Sequence, residues 1–387
     1  MKRIGLLPRI LIAIAAAAVC GPFAPMWFVR VFVTLSGIFS QVLSFMIPLI
    51  IFGLVAPAIG DVGRRAGSLL VVTVALAYAD TVVAGLMGYG VGTWLFPGIV
   101  ETTNSIDSAT MAATDIAPFF TVKIPPLVDV MSALMLAFLV GVGVAYGQGV
   151  VRLREVTIEF RWMITKVIER LIIPALPLYI FAIFLQMTAT GTAWRIMAVF
   201  AGIVVVIFAL HLFILLYQFA AAGLLTGRNP LKLLWTMLPA YMTALGTSSS
   251  AATIPVTLQQ TLKNGVSPAV AGFTVPLCAT IHMSGSAMKI TACALTICLL
   301  QGLPHDPLTF VHFVMMLAVV MVAAPGVPGG AIMAALAPLA SILGFTAEEQ
   351  ALMIALYIAM DSFGTACNVT GDGALAIVVD KYFGKKI

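Results

Sequence analysis

An all-α polytopic membrane protein is the fold class this sequence predicts, and three observations carry the prediction. Hydrophobic residues make up 61% of the 387 residues and charged residues only 9%, against roughly 25% charged in ordinary soluble domains. The apolar residues run on for about 20 positions or more, the length that crosses a bilayer as a helix. Two of those runs are broken near their centres by glycine, serine or proline, as expected of helical hairpins that enter a membrane and turn back. A mean hydropathy of +1.12 excludes a soluble enzyme and a disordered chain. The net charge of +5 comes from few, scattered groups, which excludes a nucleic-acid-binding face. Period-2 alternation of the β-barrel kind is absent over most of the chain.

In chain order, spanning helices are expected over Leu6–Phe23, Met26–Ile59, Gly67–Phe96, Val128–Val150, Ile168–Met187, Ala193–Leu225, Val266–Leu303 and Glu348–Val379. The first follows Lys2, Arg3 and Arg9, and is read as a membrane helix rather than a cleaved leader. Several spans exceed one perpendicular crossing, so tilted helices are expected. Pro230–Lys263 breaks at Gly246–Ser250 and Pro307–Leu343 at Pro325–Gly330. Each half is too short to cross alone, so both stretches read as re-entrant hairpins, over 230–263 and 307–343. Each is followed by a long helix, over 266–303 and 348–383. That is the trace of an inverted repeat in a secondary transporter. Residues 1–229 then supply the early helices and 230–387 the core of the transport unit.

Loop charges agree with this map. Basic residues concentrate in cytoplasmic loops. Lys2, Arg3 and Arg9, then Arg64 and Arg65, then Arg152, Arg154, Arg161, Lys166 and Arg170, and finally Lys381, Lys385 and Lys386 fall on one side. Arg228, Lys232 and Lys263 open the first hairpin to that side. Asp306, Glu348 and Glu349 open the second to the other, and the Pro97–Pro126 loop with Glu101, Asp107 and Asp115 joins it there. Arg195 is the mild exception. Both termini are expected inside the cell, with the chain in the cell (inner) membrane.

The chemistry concentrates late in the chain. Asp361, Thr365, Asn368 and Asp372 are spaced 4, 3 and 4 residues apart. That places them within about 60° of one another on a helix. Each intramembrane carboxylate costs on the order of 2.5–3.5 kcal/mol, so it must face a cation, a cavity or a partner. A polar seam that only joins helices is the plainer alternative. Two carboxylates with no basic neighbour in sequence favour cation or ammonium binding. The first break, Gly246-Thr247-Ser248-Ser249-Ser250, offers hydroxyls and helix N-terminal N–H groups suited to a solute carboxylate. The second, Pro325-Gly326-Val327-Pro328-Gly329-Gly330, cannot continue a helix.

Ser249-Ser250-Ala251-Ala252-Thr253-Ile254-Pro255, Gly326-Val327-Pro328-Gly329 and Asn368-Val369-Thr370-Gly371-Asp372 together resemble the signature stretches of the glutamate-transporter family, the dicarboxylate/amino acid:cation symporters. The resemblance runs over essentially the whole chain in element order and is strongest from Pro230 to Asp372. It implies a homotrimer, a rigid scaffold of early helices, and a transport domain that moves as an elevator with sodium as the usual coupling ion. It implies no enzymatic activity and no cofactor beyond Na+ or H+. By that resemblance Asp361 is expected to bind a substrate ammonium. Asn368 would bind the α-carboxylate together with Ser249 and Ser250, with Gly329 and Thr365 beside them. Asp372 would hold sodium with backbone carbonyls near Cys278, His282 and Asn368, and Thr280 would contribute a carbonyl to a second sodium site.

The departures are as informative. Where the family has Asn-Met-Asp-Gly-Thr, this chain has His282-Met283-Ser284-Gly285-Ser286. Ser284 thus replaces a carboxylate of a third sodium site. Gly364 stands where members with acidic substrates carry arginine, and the second tip is one residue short after Gly329. A small neutral amino acid fits better than glutamate or aspartate, and a dicarboxylate would leave Asp361 without an ammonium. Asp80 in the third span is expected to pair with His282 or Lys289, which lies about 10 Å further along the helix. A built-in cation could then stand in for one sodium. The alternative for Lys289 is that it snorkels to an interface.

The five cysteines show no metal or disulfide spacing and read as free thiols. His211, His305 and His312 read as packing or span-end residues. An intramembrane protease is disfavoured because Asp361 and Asp372 stand about 16 Å apart on one helix. A channel differs from a symporter by its lack of concentrative uptake. The expected partners are a small solute and membrane lipid, with no nucleic acid.

Overall fold

The computed structural model describes residues 6–64, 68–104, 116–128, 130–147, 149–191, 193–322, 324 and 328–384. All regular structure among them is helical. In chain order the helices are α1 (Leu6–Cys20), α2 (Met26–Arg64), α3 (Ser68–Asn104), α4 (Val130–Tyr146), α5 (Val151–Val167), α6 (Ile173–Ala189), α7 (Ala193–Thr226), α8 (Pro230–Thr236), α9 (Leu238–Thr247), α10 (Ser250–Lys263), α11 (Pro268–Ile281), α12 (Ser284–Gln301), α13 (Pro307–Met321), α14 (Gly330–Ser341), α15 (Ala347–Ala359) and α16 (Asp361–Phe383). Five helical segments are long and apolar enough to span, and the α15–α16 pair makes a sixth. α1 and α4 are shorter apolar helices.

Three elements differ from the sequence reading. The charged stretch between the fourth and fifth expected spans is not a loop. α5, a π-helical turn at Ile168–Ile172 and α6 form one helix over Val151–Ala189. Its charged residues are exposed or half-buried, while Thr157 and Ile164 are buried. The span expected over 266–303 is interrupted at His282 and Met283, where the backbone leaves the helical region. The final span, expected as one rod over 348–383, is bent by 63° at Met360. Both interruptions free backbone groups, and in both places a buried side chain meets them.

Both broken stretches fold as helix–turn–helix units with their arms packed together, α9 on α10 and α13 on α14. At the first turn Ser248 adopts a left-handed backbone (φ 49°), and Ser249 caps α10 by accepting from the Ala252 N–H at 3.3 Å. At the second turn Gly329 takes the left-handed conformation that glycine tolerates (φ 76°). Pro325, Gly326 and Val327 lie outside the described residues. So do Lys2, Arg3, Arg65, Asp107, Asp115, Lys385 and Lys386.

The helices sort into two packing groups. α1, α2, α4, α5 and α6 pack on one another, whereas α3 and α7–α16 form the second group, centred on α12 and α16. The main contacts between groups run through α14 against α2 and α4, and α15 against α1 and α6. There the Tyr179 hydroxyl donates to the Ala347 carbonyl at 2.9 Å.

Candidate functional site

The predicted polar stripe on α16 is buried along its whole length: Asp361, Thr365, Asn368 and Asp372 are each no more than 6% exposed. A carboxylate or amide that loses water must find partners within the protein. The partners here come from the other interrupted elements.

Both turns reach the first residues of α16. The Gly329 N–H donates to Asp361 Oδ2 at 2.9 Å. The Ser248 and Ser362 hydroxyls meet at 2.7 Å. Two turns that are about 80 residues apart in sequence thus close on adjacent positions of one helix. Ser250 is buried behind the first turn, and the Thr247 and Thr253 hydroxyls lie 3.1 Å apart across it.

Asn368 sits about two turns deeper and closes the start of α12. Its Oδ1 accepts from the N–H groups of Gly285 (2.9 Å) and Ser286 (3.3 Å), and its Nδ2 donates to Ser286 Oγ at 3.0 Å. The Ser286 hydroxyl continues to the Tyr357 hydroxyl at 3.1 Å. The break between α11 and α12 therefore spends its N–H groups on α16, as an N-cap side chain would.

At the far end of the stripe, His282 bridges two carboxylates. Its Nδ1 lies 2.9 Å from Asp372 Oδ1 and its Nε2 2.8 Å from Asp80 Oδ2. Of the two partners expected for Asp80, the imidazole is the one beside it. Asp80 also accepts from the Tyr217 hydroxyl and, at 2.6 Å, from Gln218 Nε2, which in turn reaches Ser284 Oγ at 3.1 Å. Asp372 Oδ2 is buried with no hydrogen-bond partner among the described residues. The Cys278 carbonyl accepts the His282 N–H at 2.9 Å, and Thr280 is exposed with its hydroxyl on the Leu277 carbonyl.

Lys289 does not snorkel. Its side chain is fully buried, and its ammonium donates to the Tyr357 (3.3 Å) and Met360 (3.2 Å) carbonyls at the α15–α16 bend. It also lies 3.6 Å from the centre of the Tyr357 ring.

Tyr217, Gln218, Ser362 and Tyr357 were not among the residues the sequence singled out. A signal existed for the first two. His211 and Gln218 are seven residues apart in an otherwise apolar span, hence on one face, and intramembrane polar groups mark functional regions by default. His211 is buried, with Nε2 3.1 Å from the Gly285 carbonyl. His305 and His312 are exposed. Among the described residues no cluster of His, Cys, Asp and Glu has a metal-binding arrangement, and the cysteines are free. A cavity of about 690 Å³ lies between α3 and the α12–α13 turn, lined by Tyr89, Thr93, Leu295 and Leu299; none of the predicted site residues lines it.

Interrupted spans closing around buried carboxylates define a polytopic helical membrane protein of the transporter class. A family model described as the sodium:dicarboxylate symporter family matches residues 6–382, so this chain belongs to that family. It is 31% identical over 160 residues to the neutral amino acid transporter B(0) of Rattus norvegicus, and equally to that of Mus musculus. Each of those alignments covers 41% of this chain and 29% of the relative. It is 29% identical over 253 residues to the serine/threonine transporter SstT of Acinetobacter baumannii (strain AYE), covering 64% of this chain and 62% of the relative. The aligned stretches thus span less than two thirds of each of these curated relatives.

Proposed function

We propose that the protein is a secondary active, cation-coupled symporter that imports a small, neutral amino acid, with a dicarboxylate as the competing substrate. The observation that carries this reading is the meeting of both turns at Asp361 and Ser362. A solute held there is covered by two separate turns, the arrangement alternating access requires. Asp361 offers its charge to an ammonium, and the α10 N-terminus behind Ser249 and Ser250 offers N–H groups to a carboxylate. The names of the relatives, a neutral amino acid transporter and a serine/threonine transporter, favour the neutral substrate.

Sodium is the coupling ion that family membership favours. The orphaned Asp372 Oδ2 fits an oxygen-ligated cation, with carbonyls near Cys278, His282 and Asn368 as companions. His282, standing between Asp80 and Asp372, favours the second reading, a proton-coupled or sodium-independent carrier.

In the first reading α1, α2, α4, α5 and α6 form the scaffold of a trimer, and α3 with α7–α16 form the moving unit. Eight crossings and two opposed re-entrant hairpins then place both termini in the cytoplasm of a cell whose inner membrane holds the protein. The sorting of the helices into two groups supports that division.

Uptake into proteoliposomes tests the reading. Neutral amino acids, acidic amino acids and dicarboxylates are offered with an inward sodium gradient, then with a proton gradient. Accumulation of a neutral amino acid that vanishes without the sodium gradient is expected. Accumulation driven by protons alone selects the second reading, and equilibration without accumulation rejects symport.

A further inference from the structure

A buried ammonium with no carboxylate bonded to it among the described residues demands an explanation, because taking a charge out of water is costly unless other groups replace the lost solvation. Lys289 is 0% exposed. Its surroundings are those of a bound cation. Two carbonyl oxygens, from Tyr357 and Met360, stand at the bend where α15 stops and α16 starts. The C-terminal end of a helix carries partial negative charge and attracts cations. The Tyr357 ring presents its face at 3.6 Å, a third favourable contact for a positive group. The fourth side is a hollow. A Cβ built on Gly364 would lie 3.0 Å from Lys289 Nζ and 3.4 Å from Cε, so a side chain at residue 364 would crowd the ammonium. Asp361, one position past the bend, supplies the nearby counter-charge.

We propose that Lys289 is a tethered monovalent cation, and that its ammonium fills a cation site built from the Tyr357 and Met360 carbonyls, the Tyr357 ring and the hollow at Gly364. Removing the tether leaves a site for a free small cation. The chemical class of that ligand is a primary alkylammonium or an alkali ion, held by carbonyl oxygens and an aromatic face. One consequence, which rests on the symporter reading, is that this site keeps a fixed positive charge through the transport cycle. The protein then needs one coupling cation fewer than a relative lacking the lysine.

The test uses purified full-length protein in detergent micelles and no transported solute, so its failure is separate from any failure of the transport reading. Thermal unfolding is followed for wild type and Lys289→Ala while methylammonium chloride replaces choline chloride at constant ionic strength. The Tm of Lys289→Ala is expected to fall by about 5 °C and to recover at least half of that loss, saturably, with methylammonium. Wild type should not respond. Lys289→Ala/Gly364→Ala should lose most of that rescue, because its methyl group narrows the seat. Equal responses of wild type and Lys289→Ala, or no response in either, overturn the proposal. If Lys289→Ala yields no folded protein, the Lys289→Met/Asp361→Asn pair decides. Recovery of folded protein through removal of both charges supports the tethered cation, and continued failure overturns it.

Discussion

The two packing groups bury polar side chains in different ways. In α1, α2, α4, α5 and α6 most of the buried hydroxyls return to their own helix. Thr34 donates to the Arg30 carbonyl, Ser36 to Val33, Thr157 to Arg154 and Thr188 to Phe184. In α3 and α7–α16 hydroxyls such as Thr291 and Thr296 do the same, but buried or half-buried charged and amide groups there find partners on other elements: Asp80 with His282, Asp372 with His282, Asn368 with the α12 N-terminus, Asp361 with the second turn. Every aspartate, lysine and histidine found buried belongs to this second group. A hydroxyl satisfied by its own helix does not bind that helix to a neighbour. A carboxylate satisfied by a neighbour fixes the register between two helices, and loses its partner if either moves alone. The contrast suits one group that is assembled through apolar surface and another that holds together as a unit.

Substitutions test that contrast. The largest effect is expected from Asp372→Ala. It strips His282 of one carboxylate in a fully buried place, and breaking such a pair costs about 3–5 kcal/mol. Unfolding in micelles should show that loss, and concentrative uptake should vanish; wild-type accumulation would remove Asp372 from the coupling role. Gly371→Ala comes next. A Cβ there would meet Gln218 Oε1 at 2.6 Å and His282 Cε1 at 2.9 Å, and overpacking of this kind costs about 1–3 kcal/mol. Asn368→Ala leaves the Gly285 and Ser286 N–H groups unpaired, at about 1–3 kcal/mol. Its uptake should fall further than its stability if the amide also serves the solute.

Thr188→Val, in the first group, should change stability by less than about 1 kcal/mol, since the Phe184 carbonyl keeps its helical bond. A loss as large as that of Asn368→Ala would erase the distinction between the groups. The smallest effect is expected at Asp306, which caps α13 from an exposed turn. The Thr309 hydroxyl and N–H hold its carboxyl below the usual carboxylate range. Its contribution is therefore present above the unfolded-state value and is lost as pH falls through the lower folded value. The Tm difference between wild type and Asp306→Ala should shrink on acidification; a difference that grows would reverse the sign.

Much of this was legible in the residues. Runs of apolar side chains must form helices in lipid, because nothing else there satisfies backbone N–H and C=O groups, and the spans that open at Met26, Ser68 and Ala193 follow from that alone. The break at Gly246–Ser250 was legible too, since Ser249 is a good cap and a new helix begins behind it. The bend at Met360 was not. The sequence there, Ala359-Met360-Asp361, carries no proline or glycine to mark a bend, and the ammonium that donates to the freed Met360 carbonyl stands 71 residues away. The continuity of α5 with α6 was missed because a charged face reads as a loop when its buried side is only a few residues wide.

The sequence by itself determined the class of protein, the break at Gly246–Ser250 and the acidic stripe on the last helix, because these depend on composition and on periodicities of a few residues. Only the tertiary structure decided which charge answers which. Asp80 had two cationic candidates on one helix face, and Lys289 had two fates. A side chain reaches a few ångströms, so the choice turned on how deep α3 sits against α12 and on the bare Cα of Gly364, and neither is encoded near the residues it governs.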